Sequence, residues 1–195
     1  IGYQAGSGNT TGQRGVAIGY QAMDNAATSG TGNIVMGYGA GRAITSGEYN
    51  LIVGYTSGAA ITTGSANVAL GQGCLTQPDT ESNNIAIGMD TMNAAIAGGE
   101  YNIAIGRNSL DALTSGDNNV VIGYQAGSAL TASNSNVFVG YHAGLGAGSG
   151  CHSNTTMGYK AGEELSTGDN NLLLGASAGD PQSPGGQIDS DNNKI

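Results

Sequence analysis

A parallel β-solenoid is the fold this sequence predicts, and three regularities predict it. An apolar residue followed by glycine recurs eleven times, with the glycines at Gly2, Gly19, Gly37, Gly54, Gly71, Gly88, Gly106, Gly123, Gly140, Gly158 and Gly175, always 17 or 18 residues apart. Four residues before that marker glycine stands an asparagine in nine of ten units, at Asn33, Asn50, Asn67, Asn84, Asn102, Asn119, Asn136, Asn154 and Asn171, with Gly15 the exception. Between asparagine and glycine lie three residues, apolar almost throughout, that read as a short strand. A period this short belongs to coils stacked one on the next, each touching only its neighbours. The expected architecture is all-β, a rod of about eleven coils.

Each element of the unit has its own reason. Asparagines stacked at one corner can hydrogen-bond to each other and to the turn backbone, forming a ladder that sets the register of the coils. In the strand the outer two residues are apolar, as in Ile34 and Met36 or Ile103 and Ile105, with Thr155 the exception, and are expected to fill the coil. The middle residue points the other way, yet it too is apolar, as Ala17, Val35, Ile52, Ala86, Phe138 and Leu173 illustrate. A thin coil cannot hold two cores, so the second apolar face must be covered from outside, and self-association along the rod, most economically as a closed trimer, follows.

After the marker glycine the unit turns. Three positions on, the residue is always small (Ala22, Ala40, Ser57, Cys74, Thr91 and Ser109 among them) and the next is Gly, Met or Leu. That restriction implies close packing at a corner. A second turn carries tripeptides such as Thr45-Ser46-Gly47, Thr62-Thr63-Gly64, Thr114-Ser115-Gly116 and Ser166-Thr167-Gly168, whose glycine suits a positive φ. The pattern breaks at Glu81, Ser133 and Cys151, where altered loops are expected.

Composition restricts the function classes. With 36 Gly, one Phe and no Trp among 195 residues, the chain lacks the large side chains of a globular core, so burial must come from many small repeated contacts. The net charge of −9 repels phosphate backbones and anionic lipid, so neither nucleic-acid binding nor membrane insertion is expected. Cys74 and Cys151 lie several coils apart, on the order of 20 Å, too far for a disulfide within the chain. They read as free thiols. Asp180-Pro181-Gln182-Ser183-Pro184-Gly185-Gly186 interrupts the next coil, which places a solenoid over residues 1–180 and a polar linker over 181–195 leading into a further C-terminal region. Because the first residues fall in mid-repeat, the chain reads as a piece of something longer.

Units such as Asn119-Val120-Val121-Ile122-Gly123-Tyr124-Gln125-Ala126-Gly127 and Asn102-Ile103-Ala104-Ile105-Gly106-Arg107-Asn108-Ser109-Leu110 resemble the head repeats of trimeric autotransporter adhesins of the YadA type. That resemblance implies a left-handed β-roll of three intertwined chains and a role in attachment to host surfaces. The longer Tyr-bearing unit, with its Thr-Ser-Gly-Asp-Asn-Asn turns, looks even more like repeats of bacteriophage tail fibres, in which a segment similar to Asp189 through Ile195 leads into a cleaved intramolecular chaperone. The adhesin repeats are typically shorter and no heptad stalk follows here, which favours the phage. The resemblance covers nearly the whole chain and implies a homotrimeric tail-fibre shaft on a virion, whose partners are its own copies and a host-cell receptor or glycan. A bacterial surface adhesin is the alternative.

Residues for chemistry are few. The phrase Ile-Gly-x-x-Ala also suits a hexapeptide acyltransferase helix, but Ser128 and Asn134 stand where that helix wants aliphatic side chains. The histidines are His142, at an ordinary repeat position, and His152, in a turn beside Cys151. Nothing converges as acid, base or nucleophile, so the expectation is no enzyme, no cofactor and no metal. Acidic turn residues Glu48, Glu100, Asp117 and Asp169 recur six before the marker glycine and read as solvated loops sooner than as a cation site. Asn9 and Asn154 sit in glycosylation-type triplets, a weak pattern beside their structural reading. Tyrosine follows the marker glycine at Tyr3, Tyr20, Tyr38, Tyr55, Tyr124, Tyr141 and Tyr159, forming two ladders separated by Gln72, Met89 and Arg107. Exposed aromatic rows suit sugars or a receptor, while repetition on most coils favours a structural role of rings packing on each other.

Overall fold

The computed structural model describes residues 1–180 except Arg14, Ala26, Ala27, Pro78, Asp79 and Ile96; the linker expected over 181–195 lies outside the described residues. It is a β-solenoid of ten three-residue strands with no helix among the described residues: β1 Val16–Ile18, β2 Ile34–Met36, β3 Leu51–Val53, β4 Val68–Leu70, β5 Ile85–Ile87, β6 Ile103–Ile105, β7 Val120–Ile122, β8 Val137–Val139, β9 Thr155–Met157 and β10 Leu172–Leu174. The strands form one parallel sheet in sequence order. Pairing is in register throughout, so Ala104 lies beside Val121 and Val121 beside Phe138.

The asparagine corner explains that register. Each asparagine sits buried at the foot of a strand. Its side-chain NH2 donates to a carbonyl of the second turn in the next coil, as Asn102 does to Gly116 (2.8 Å) and Asn119 to Ser133 (2.9 Å). Its Oδ1 accepts from the backbone N–H of the next asparagine, 3.0 Å for both Asn119 onto Asn102 and Asn136 onto Asn119. A one-residue slip would break every rung, which is why the corner tolerates no other residue between Asn33 and Asn171.

The marker glycine is required by the stacking. Gly123 has a φ of 144°, and a Cβ there would lie inside contact distance of the Gly140 carbonyl in the next coil. At the second turn the reason differs from the expected one. Gly47, Gly64 and Gly116 do not have positive φ; they are glycines because a Cβ would run into the carbonyl of Gly64, Glu81 and Ser133 respectively, and only Gly168 is left-handed, at 115°.

The expected breaks at Glu81, Ser133 and Cys151 also resolve differently. Their carbonyls keep the ordinary rung, accepting from Asn67, Asn119 and Asn136 at 2.8, 2.9 and 2.7 Å. What changes is the coil above. The coils that follow Glu81 and Ser133, Gly88 to Gly106 and Gly140 to Gly158, are 18 residues long. Their extra residue lies in the second turn, where Glu81 Oε1 accepts from Gly98 N–H (2.9 Å) and Ser133 Oγ accepts from Cys151 N–H (3.1 Å) while donating to the Gly148 carbonyl (2.7 Å). At Glu81 and Ser133 an added side chain is thus matched by an added residue that makes room for it and bonds to it, whereas the coil that follows Cys151, Gly158 to Gly175, keeps 17 residues.

The strand faces are the reverse of the expectation. The middle residue is the one that fills the coil: Val35, Ile52, Ala69, Ala86, Ala104, Val121, Phe138 and Thr156 are wholly buried, whereas the outer pair is half-buried to exposed. A coil this narrow admits one inward side chain per strand, and the alternation of a three-residue strand turns the other two outward. Opposite that side chain stands the residue six positions later. Where the strand supplies alanine the partner is large, as with Ala69 and Leu75, Ala86 and Met92, Ala104 and Leu110. Where the strand supplies a large residue the partner is glycine: Val35 and Gly41, Ile52 and Gly58, Val121 and Gly127, Phe138 and Gly144. A Cβ on Gly58 would come 2.9 Å from Ile52 Cδ1, and one on Gly144 would come 2.5 Å from Phe138 Cδ2. Core volume is therefore exchanged between these two positions, with a third buried position nine residues after the strand's middle residue, as at Ile44, Ile61, Leu113, Leu130 and Ala147, filling the rest of the coil.

Candidate functional site

The tyrosine columns stand on the corner just after the marker glycine, with the backbone left-handed two residues after that glycine at Gln4, Gln21, Thr56, Gln125 and His142. Parallel in-register coils bring the rings face to face. Tyr3, Tyr20, Tyr38 and Tyr55 form one stack with centroids 5.0 to 5.2 Å apart, and Tyr124, Tyr141 and Tyr159 a second at 5.3 to 5.4 Å, all within 15° of parallel. Every one of the seven remains 40 to 64% exposed, so they are packed on each other and open to solvent at once. Ring faces inside the stacks are taken by neighbours, and what meets solvent is the ring edge and phenolic hydroxyl. Tyr49 and Tyr101, exposed residues on the corner before the asparagine, were not singled out in the sequence. Their position directly before the ladder asparagines Asn50 and Asn102 is the signal that could have found them.

Beside the second stack lies a polar cluster spanning three coils. His142 stacks on Tyr141 at 4.0 Å, with its Nδ1 3.0 Å from Glu163 Oε1 and its Nε2 3.0 Å from Gln125 Oε1. Lys160 Nζ is 3.1 Å from the other Glu163 oxygen and 5.8 Å from the Tyr159 ring centroid. Partial burial raises the Glu163 carboxyl, but the hydrogen bonds from His142 and Lys160 outweigh it and hold the group below its ordinary range. The interaction with Glu163 raises the ammonium of Lys160 above its usual value. The cluster clamps successive coils at their surface.

The acidic turn residues are separated along a second ladder, one per corner. Glu100 N–H donates to Asp117 Oδ1 (2.8 Å), Asp117 N–H to Asn134 Oδ1 (2.7 Å), Asn134 N–H to His152 Nδ1 (3.2 Å) and His152 N–H to Asp169 Oδ1 (2.7 Å). Ser65 Oγ serves Glu48 in the same way (3.0 Å). Each of these side chains caps a backbone group of the coil before it. His152 does so as an acceptor, which leaves its Nδ1 without a proton in this arrangement. Burial pushes the Asp111 carboxyl up despite the hydrogen bond from Asn108, yet among the described residues no group of three or more His, Cys, Asp or Glu could hold a metal ion.

The remaining residues take structural places. Asn154 is wholly buried with its amide bonded to the Gly168 carbonyl (2.8 Å), which removes it as a glycosylation acceptor; Asn9 is exposed and bonds the Gly12 carbonyl (3.0 Å). Cys74 and Cys151 are buried free thiols, both pushed above the ordinary thiol value chiefly by burial. Such thiols are poor nucleophiles. The fold and these surfaces define the chain as a β-solenoid repeat protein. No family model, no curated protein and no solved structure matches it.

Proposed function

We propose that this chain is the structural shaft of a trimeric phage tail fibre, carried on the virion and involved in host attachment. The observation that supports this reading is the outward face of the sheet. Each strand turns two side chains outward, apolar at every position but Thr155, so that Ile34, Ile103, Ile122, Met157 and Leu174 fall on one continuous stripe along the rod. Ile34, Ile122, Met157 and Leu174 are among the exposed apolar residues. A regular apolar stripe running the whole length of a rod is best covered by copies of the same rod, and a closed three-fold arrangement covers three stripes at once. The shaft's work is mechanical: it extends, resists shear and proteolysis, and presents a receptor-binding tip. No enzymatic activity, nucleic-acid partner or membrane insertion belongs to this reading, in keeping with the net charge of −9.

The test is the mass of the native assembly by light scattering, with a parallel sample in SDS without boiling. Three times the 19.2 kDa chain mass, persisting in SDS, is the expected result. An Ile103→Glu, Ile122→Glu variant, altered only on the outer face, should keep the β-signal of each coil and lose the trimer. A wild-type monomer would remove the proposal. The second reading, a bacterial adhesin head that binds matrix or glycan through this segment, draws on the exposed tyrosine stacks. Adhesion by isolated repeats, lost when Tyr124 and Tyr141 are changed to Ser, would favour it.

A further inference from the structure

Neither reading requires the phenol rings to be spaced as they are, and that spacing carries chemistry of its own. Five neighbouring tyrosine pairs, Tyr3–Tyr20, Tyr20–Tyr38, Tyr38–Tyr55, Tyr124–Tyr141 and Tyr141–Tyr159, lie with centroids 5.0 to 5.4 Å apart and planes within 15°. All seven rings are open to solvent, so an oxidant can reach the phenols without unfolding the rod. The backbone beneath Tyr20, Tyr38, Tyr55, Tyr124, Tyr141 and Tyr159 is held by in-register strands, and that beneath Tyr3 by hydrogen bonds from Gly19 N–H to the Ile1 carbonyl (2.8 Å) and from Gln21 N–H to the Tyr3 carbonyl (2.9 Å), while each ring still turns about its own side-chain bonds.

We propose that the two tyrosine stacks are cross-linking sites, at which one-electron oxidation joins adjacent coils through dityrosine. A peroxidase-type oxidant, with hydrogen peroxide as terminal acceptor, removes one electron and one phenolic proton from each of two neighbouring tyrosines. The two phenoxyl radicals couple carbon to carbon at their ortho positions. The ortho hydrogens then move to the phenolic oxygens and restore both aromatic rings, so that the pair has lost two electrons and two protons, which convert one hydrogen peroxide into two waters. The stack supplies proximity: a radical on one ring meets its partner within the same chain at an effective concentration that encounters between separate chains in dilute solution do not reach. The product closes a loop of 17 or 18 residues between coils and removes conformational freedom from the unfolded chain as a disulfide does. On an exposed shaft this is a covalent staple that needs no cysteine.

The protein contains its own comparison. Tyr49 and Tyr101 are 64% and 56% exposed but belong to neither stack. The full chain in dilute solution is treated with a peroxidase and hydrogen peroxide, and cross-linked peptides are mapped by mass spectrometry beside dityrosine fluorescence. The expected result is dityrosine confined to the five stacked pairs, with the chain still at its single-chain mass under denaturing conditions. Dityrosine absent, present at Tyr49 and Tyr101 as often as in the stacks, or found only between chains, overturns the proposal. A Tyr20→Phe, Tyr38→Phe variant keeps the rings and removes the two inner phenols of the first stack, which leaves Tyr3 and Tyr55 without a phenol beside them. Its intrachain dityrosine should fall to about two-fifths, all of it from Tyr124, Tyr141 and Tyr159, and an unchanged yield or a complete loss refutes the pairwise mechanism.

Discussion

The exchange of volume between the strand's middle residue and the residue six positions later makes a strong prediction at Phe138 and Gly144. Phe138 is wholly buried and is the largest side chain in the core. Truncation to alanine should cost about 4 kcal/mol from lost transfer energy and the cavity left behind. Gly144→Leu alone places a Cβ 2.5 Å from Phe138 Cδ2 at a residue whose φ is 60°. It should cost about 1 kcal/mol for the left-handed backbone and about 2 kcal/mol for overpacking. If the two sites were independent the double variant would lose about 7 kcal/mol, a large part of the stability of a small domain. The structure says otherwise, because Phe138→Ala with Gly144→Leu recreates the wholly buried pair Ala104 and Leu110, whose leucine already occupies a left-handed φ of 51°. The double variant should therefore lose no more than about 2 to 4 kcal/mol, and a coupling of at least about 3 kcal/mol should separate it from additivity. Urea denaturation of the four proteins in the double-mutant cycle, followed by circular dichroism, measures it. Additive losses would refute the reasoning, since volume exchange across the coil would then not be what the core conserves.

Three other outcomes follow from the contacts within and between coils. Asn119→Ala strands the buried N–H of Asn136 and carbonyl of Ser133, two groups at about 1 to 3 kcal/mol each, so a loss of about 2 to 6 kcal/mol is expected in the same urea assay, and a loss below about 1 kcal/mol would mean that water replaces the ladder. Thr156 buries a hydroxyl with no hydrogen-bond partner, so Thr156→Val should stabilise the rod by about 1 kcal/mol, and a rise in unfolding midpoint at unchanged m-value checks it. Glu163 has a folded pKa below its unfolded one, so its contribution is present above the unfolded pKa and declines as pH falls through the folded value. Glu163→Gln should accordingly flatten the fall in thermal stability on the acid side of the ordinary carboxylate range, and parallel curves for the two proteins would show that the clamp contributes nothing.

The solenoid was legible in the sequence because stacking in register makes every coil solve the same problem with the same residue at the same place. The spacing of Gly123, Asn119 and their repeats is a direct trace of a glycine that must clear the next carbonyl and an amide that must reach the next turn. The tyrosine columns were legible for the same reason. Which strand face lies inside was not, because Ile103, Ala104 and Ile105 are all apolar and alternation without polarity carries no direction. Only the coil's width decides it, admitting Ala104 and turning the two isoleucines out. The exchange between Ala104 with Leu110 and Phe138 with Gly144 is written in the sequence, yet it has meaning only once the coil closes and sets those positions against each other. Likewise Glu81 and Ser133 looked like breaks until the coil above each brought its extra residue to the added side chain. Periodicity along the chain determines that coils stack, whereas contacts across a coil, which join positions of different kind, exist only in the tertiary structure.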